Sequence, residues 1–260
     1  LQPIGSFYVG NRKIDISTAT SRALSRIRIA SEGPPIPLVM MLLHRTSLPK
    51  KDPKYFSTSE LEKCAITLEG VLYKTLMNGD SLTNFRALII KSMLSWEKSC
   101  VTDSSSLGSE KLRLKLLNLG PKWSPDLKSR LDNSWNSKMN SPSSPDGIYK
   151  DLPSKALLAL LDALEEEASG PTSVDLIDRN GGAKEHPYEI DHIYPQKGKK
   201  WKSDLNGWNQ DETTMQKQLH RIGNLAPVLS EINKKMSNKN LEDKKTIMAK
   251  SQMPALFLNQ

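Results

Sequence analysis

Two short stretches near the end of the chain hold residues equipped for chemistry. The first is Glu189-Ile190-Asp191-His192-Ile193-Tyr194-Pro195-Gln196. The second is His220-Arg221-Ile222-Gly223-Asn224-Leu225, and Asn233 follows nine residues beyond Asn224. An imidazole with an ordinary pKa of about 6.5 can take a proton from water near neutral pH, which makes His192 a candidate general base. An Asp beside a His is by itself most often a structural pair, and Gly-Asn alone is most often a turn. The Asp-His-Ile-x-Pro segment, the Gly-Asn-Leu and the downstream Asn carry more meaning together than any of them does alone.

These residues need elements to hold them. Tyr188 to Ile193 reads as a short strand, as does Val174 to Ile177 before it, with the turn-prone Asn180-Gly181-Gly182 between. Side chains alternate along a strand, so Asp191 and His192 point to opposite faces. A Lys- and Trp-rich loop follows, with Lys197, Lys199, Lys200, Trp201, Lys202 and Trp208, then a helical stretch near 212–220. Gly223 to Leu229 reads as a second strand, where Gly223 permits close backbone approach. Two helices, 230–238 and 240–251, close the chain; Ser230 is the expected N-cap of the one bearing Asn233.

The upstream part is helical. Ser17 caps a helix to Ala30 that carries Arg22, Arg26 and Arg28. Leu38 to Arg45 is a short apolar helix. Ser57/Glu60 and Ser59/Glu62 both match a capping box before a helix to Met77. Further helices are expected over 82–98, 110–118, 124–138 and 153–168, the last ending in the acidic run Glu165-Glu166-Glu167, a solvated helix end. No period of 20–50 residues recurs, so a solenoid is excluded. The expected architecture is mainly α: a helical bundle over 1–170, then a small domain over 171–260.

The later stretch resembles the HNH, or ββα-metal, nucleases. More closely, it is similar to the HNH domain at the C-terminus of GmrSD-type modification-dependent restriction proteins, which include the SspE proteins. Those carry a [Glu/Asp]-His-Ile-x-Pro-Gln segment, a Gly-Asn-Leu, an Asn in the following helix and a Lys-rich tail, and residues 172–251 hold all four. The resemblance implies a metal-dependent DNA endonuclease that nicks double-stranded DNA in anti-phage defence. It makes His192 the general base, and Asp191 and Asn233 the metal ligands. Asn224 holds the loop between the strands, supporting catalysis. One carboxylate and one amide oxygen suit Mg2+, with Mn2+ as substitute. Arg221 is a candidate for transition-state charge stabilisation, and Lys199, Lys200, Lys202, His220, Lys234, Lys244 and Lys245 are candidate nucleic-acid contacts. The 31 residues between His192 and Asn224 exceed what compact HNH domains carry and are expected to face DNA. His44 and His186 are expected to be structural.

Composition points toward a polyanionic partner. The 260 residues carry 37 Lys+Arg against 29 Asp+Glu, a formal charge of +8. Residues 1–150 hold 22 basic and 13 acidic residues, 151–183 hold 2 and 7, and 184–260 hold 13 and 9. No apolar run approaches a membrane span, and no signal-peptide layout is present. Two cysteines make neither a disulfide framework nor a zinc knuckle, so a cytoplasmic setting is expected. A chain that starts at Leu1 is expected to be the C-terminal effector of a longer protein with an N-terminal sensor or NTPase-like region. The rival readings are a non-catalytic nucleic-acid-binding module with a basic helical surface, and an RNA-directed nuclease.

Overall fold

A computed structural model describes residues 5–9, 12–31, 33, 35–77, 82–102, 108–119, 152–170, 175–177, 187–196, 215, 219–220 and 222–251. The described residues are mainly helical, with eight α-helices and two strand pairs. The chain divides into two units, Leu1–Ser124 and Pro125–Gln260.

The first unit opens with an antiparallel hairpin of β1 (Gly5–Val9) and β2 (Arg12–Ile16), paired from Gly5↔Ile16 to Val9↔Arg12. In β2, Ile14 and Ile16 are buried while Lys13 and Asp15 are exposed, the period-two pattern of a half-buried strand. Ser17 then caps α1 (Thr18–Ser31), its hydroxyl accepting from the Thr20 N–H at 3.1 Å. Next come α2 (Ile36–Ser47), α3 (Thr58–Met77), α4 (Leu82–Thr102) and α5 (Ser109–Leu117). Helix α3 is central, packing against all four of the others. Its face of Leu61, Cys64, Ala65, Leu68, Val71 and Leu72 is buried, as its spacing of three and four demands.

Of the two expected capping boxes only the first forms. The Ser57 N–H donates to Glu60 at 2.8 Å, and the Glu60 N–H returns to the Ser57 hydroxyl at 3.2 Å. Glu62 instead accepts from the hydroxyl of Ser17, which ties α1 to α3. Two arginines of α1 are turned inward. Arg22 is buried, and Arg26 forms a buried ion pair with Glu69 of α3 at 2.5 Å. Arg45 of α2 is buried too, its guanidinium 4.4 Å from the Trp96 ring centroid and 2.7 Å from Glu97. An arginine over an aromatic face gains cation–π attraction while its fork still finds a carboxylate.

The second unit holds α6 (Ser154–Ser169), which was expected with the helical region and instead packs against the strand that carries His192. Gly170, at a φ of 67°, ends it. Glu165 is fully buried and accepts from Ser169 at 2.7 Å, so the acidic run is not solvated throughout. The strand expected at Val174 to Ile177 is irregular over its described residues, Asp175–Ile177. Side chains take the backbone donors a ladder would use: the Leu176 N–H donates to buried Asp162 at 2.8 Å, and the Ile177 N–H to Asp175 at 3.3 Å. The helix expected over 124–138 lies outside the described residues, as does nearly all of 197–218.

Replacing the α3 cap, Ser57→Ala, is expected to lower unfolding free energy by about 1 kcal/mol in a urea titration. Burial pushes the Glu60 carboxyl up, but hydrogen bonds from Ser109 and Ser57 outweigh it and hold the pKa below its ordinary value. That contribution is present above the unfolded carboxyl pKa and fades as pH falls through the lower folded one. Glu60→Gln should therefore flatten the acid limb of stability against pH.

Candidate active site

Strands β3 (Tyr188–His192) and β4 (Leu225–Leu229) pair antiparallel in the register Tyr188↔Leu229, Asp191↔Ala226, His192↔Leu225. A short 3-10 turn, Ile222–Asn224, leads into β4, and α7 (Ser230–Met236) and α8 (Leu241–Lys250) follow it. Ala226 and Val228 pack with Ile232 and Met236 of α7. Their register partners Asp191 and Glu189 therefore share the face that α7 and α8 cover. His192 belongs to the other face, as alternation requires.

His192 is buried at 6% exposure, and its Nε2 lies 3.0 Å from Nδ1 of His220, itself 7% exposed. The rings meet edge to face, with centroids 5.1 Å apart. One proton occupies that contact, so the tautomer of each ring dictates that of the other. Burial, followed by the charges of His220 and Lys244, pushes the His192 pKa down to about 4. At neutral pH this imidazole is uncharged, the form that accepts a proton.

Asn224 clamps the loop that follows β3. Its Oδ1 accepts the Tyr194 N–H at 2.7 Å, while Nδ2 donates to the carbonyls of Tyr194 at 3.0 Å and Leu219 at 2.7 Å. A backbone bond from Ile193 N–H to Asn224 O at 2.8 Å extends the ladder past His192. The side chain thus joins both approaches to the histidine pair, the turn after His192 and the turn before His220.

On the opposite face Lys244 of α8 is 3% exposed. Its Nζ donates to Asp191 Oδ2 at 2.6 Å and to the His192 carbonyl at 2.5 Å. Burial raises the Asp191 pKa, and the ammonium pulls against that rise. Glu189, two residues before Asp191, accepts from the Ser230 hydroxyl and from Asn233 Nδ2, the latter at 2.7 Å. These two hydrogen bonds, Ser230's first, lower its pKa. Glu189, Ser230, Asn233, Lys155 and Lys234 line a groove of about 1120 Å³. Among the described residues no group of three or more His, Cys, Asp or Glu side chains is arranged to hold a metal ion. Asp191 and Glu189 share one strand face, and Asn233 Nδ2 donates to Glu189, so side-chain oxygens lie on that side of β3. Hard divalent cations favour such donors.

Several placements differ from expectation. Lys244 and His220 are buried partners of the site rather than surface contacts to phosphate. Ser230 is the first helical residue, not the N-cap; Leu229 takes the cap position, and the Ser230 hydroxyl is spent on Glu189. Lys234 and Lys245 are exposed, Lys245 pairing with Glu242 at 3.3 Å. Arg221, Lys199, Lys200 and Lys202 lie outside the described residues. Glu189 joins the site without a role expected from sequence, although its spacing of two from Asp191 signals a shared strand face.

A buried pair of imidazoles thus lies on one face of β3, with the carboxylates of Asp191 and Glu189 on the reverse face. Residues 130–256 match the family described as GmrSD restriction endonucleases, C-terminal domain. That segment, just under half of the chain, is thus similar to the GmrSD C-terminal domains. No curated protein and no solved structure matches the chain.

The three Asn224 side-chain bonds, at roughly 1 kcal/mol net each, set the expected cost of removing them. Asn224→Ala should lower stability by about 3 kcal/mol, read as an earlier thermal or urea transition. A transition at the wild-type midpoint would mean the clamp carries no weight.

Proposed function

We propose that this chain is a metal-dependent DNA endonuclease, the effector part of a modification-sensing restriction protein that acts against phage in the cytoplasm. The observation that carries the reading is the buried, uncharged His192, placed back to back with Asp191 inside the segment that matches the restriction-endonuclease family. Strand β3, strand β4 and helix α7 supply the order strand, strand, helix that a ββα-metal nuclease needs.

His192 takes the proton of the attacking water, and His220 orients its ring through the shared hydrogen bond. Asn224 keeps both histidine turns in place. Asp191 and Asn233 would hold Mg2+ or Mn2+, whose chemistry is to neutralise charge building on the phosphate. Exposed Lys234 and Lys245 face the solvent where a duplex backbone would run, and Arg221, Lys199, Lys200 and Lys202 are proposed to extend that contact. An N-terminal sensor or NTPase-like region of the full-length protein would select the DNA. The outcome is a nick in double-stranded DNA.

A supercoiled-plasmid assay tests the reading. Wild type with Mg2+ or Mn2+ should relax the plasmid, and EDTA should stop it. His192→Ala should bind DNA with wild-type affinity and nick at least about 100-fold more slowly. Nicking by His192→Ala at the wild-type rate would sink the proposal. Salt-dependent binding without any metal-stimulated cleavage would favour the non-catalytic module, and cleavage of RNA alone would favour an RNA-directed nuclease.

A further inference from the structure

Lys244 is the buried cation that the site does not otherwise explain. A lysine is almost never this buried unless its ammonium is paired. Here the pairing is with two oxygens of adjacent residues, the Asp191 carboxylate at 2.6 Å and the His192 carbonyl at 2.5 Å. The lysine comes from α8, more than fifty residues further along the chain. Its helix is capped by Asn240, which accepts the Asp243 N–H at 2.8 Å. Between α7 and α8 the chain turns at Ser237, whose φ of 44° ends α7. This turn and cap bring the ammonium to the end of β3.

Two consequences follow from that contact. First, the ammonium ties both peptide-linked residues at once, through the Asp191 carboxylate and the His192 main-chain carbonyl. Second, it is a unit positive charge in contact with the carboxylate that the proposed function assigns to a divalent cation. At a few ångströms such a charge is worth more than tenfold in the binding of a second cation, even at the effective dielectric of a protein surface.

We propose that Lys244 is a positioning residue for the metal-dependent step: its buried ammonium holds Asp191 and the His192 carbonyl in register, and it competes with the divalent cation for the Asp191 carboxylate. This inference rests on the endonuclease reading. It separates Lys244 from a phosphate contact, whose loss would weaken DNA binding and make that binding less dependent on salt. It also separates Lys244 from a scaffold residue, whose loss would weaken metal binding and activity together.

The test uses the whole chain as wild type, Lys244→Met, Lys244→Arg and His192→Ala. Mn2+ is titrated without DNA by calorimetry and by the metal-induced shift in melting temperature, and plasmid nicking is followed against Mn2+ concentration. Lys244→Met is expected to bind Mn2+ at least about tenfold more tightly yet to nick at least about 100-fold more slowly, with the affinity for DNA and its salt dependence unchanged. Lys244→Arg keeps the competing charge but cannot aim one nitrogen at both oxygens. It is expected to bind Mn2+ within about twofold of wild type and to nick at least about tenfold more slowly. The arginine variant keeps the inference testable if the methionine variant does not fold.

Unchanged or weaker Mn2+ binding by Lys244→Met overturns the competition, and so does reduced DNA affinity with a shallower salt dependence. Wild-type nicking by Lys244→Arg overturns the positioning. If wild type nicks no faster than His192→Ala, the endonuclease reading falls and this inference with it. If wild type nicks with metal and only the Lys244 outcomes fail, the inference falls alone.

Discussion

The contact between the Lys244 ammonium and the end of β3 is the constraint on which the second unit turns. Burying a lysine and an aspartate costs several kcal/mol in desolvation, and their attraction offsets that cost only when the geometry is close and the remaining hydrogen bonds are made. Here the ammonium bonds a carboxylate and a main-chain carbonyl, and the aspartate is only 13% exposed. Such an arrangement contributes specificity more reliably than stability. Helix α8 can dock only where its one buried charge meets its partner, and a slip of β3 by one residue would turn Asp191 to the other face and strand the ammonium. The pair thereby secures the register that sets Asp191 against Ala226 and His192 against Leu225.

From that register the two chemistries of the site separate. The face turned toward α7 and α8 collects oxygens: Asp191, Glu189 and the Asn233 amide. The other face collects imidazoles, His192 against His220. Two backbone atoms along the strand divide a region where a positive charge is welcome from one where a ring is kept neutral by burial. A single extended strand achieves this separation with adjacent residues, which a helix could not do, because neighbours on a helix diverge by only about 100°. Asn224 then closes the arrangement from the side, since it bonds the turns adjoining both histidines.

Much of this was legible in the residues. The order of strand, strand and two helices over Tyr188 to Lys250 follows from apolar spacing and turn chemistry, and the opposed faces of Asp191 and His192 follow from alternation. The clamp by Asn224 was readable only through resemblance, because nothing local says which carbonyls an amide will meet. Two failures have a common cause. Val174 to Ile177 looks like a strand by composition, yet Asp162, on a helix more than ten residues upstream, takes the Leu176 donor. Lys244 looks like one of several surface lysines, yet it pairs across 53 positions. Long-range polar partners leave no local period, so a sequence pattern assigns such residues to solvent by default.

The same default distorts the reading of charge. The formal +8 invites a picture of a basic surface spread over the helical region. Of the basic residues there, Arg22, Arg26 and Arg45 are buried, two of them bound to glutamates. In the second unit Lys244 is buried against Asp191. Charges held inside the fold cannot release counterions from a nucleic acid. The field that a polyanion meets comes from the exposed lysines instead. Around the site these include Lys234 and Lys235 on α7 and Lys245 on α8. Lys234 also lines the groove that holds Glu189 and Asn233. Net charge counted along the chain therefore overstates the exposed charge of the helical unit by those three arginines, while residues such as Arg28, Lys50, Lys63, Arg86 and Lys91 stay exposed there.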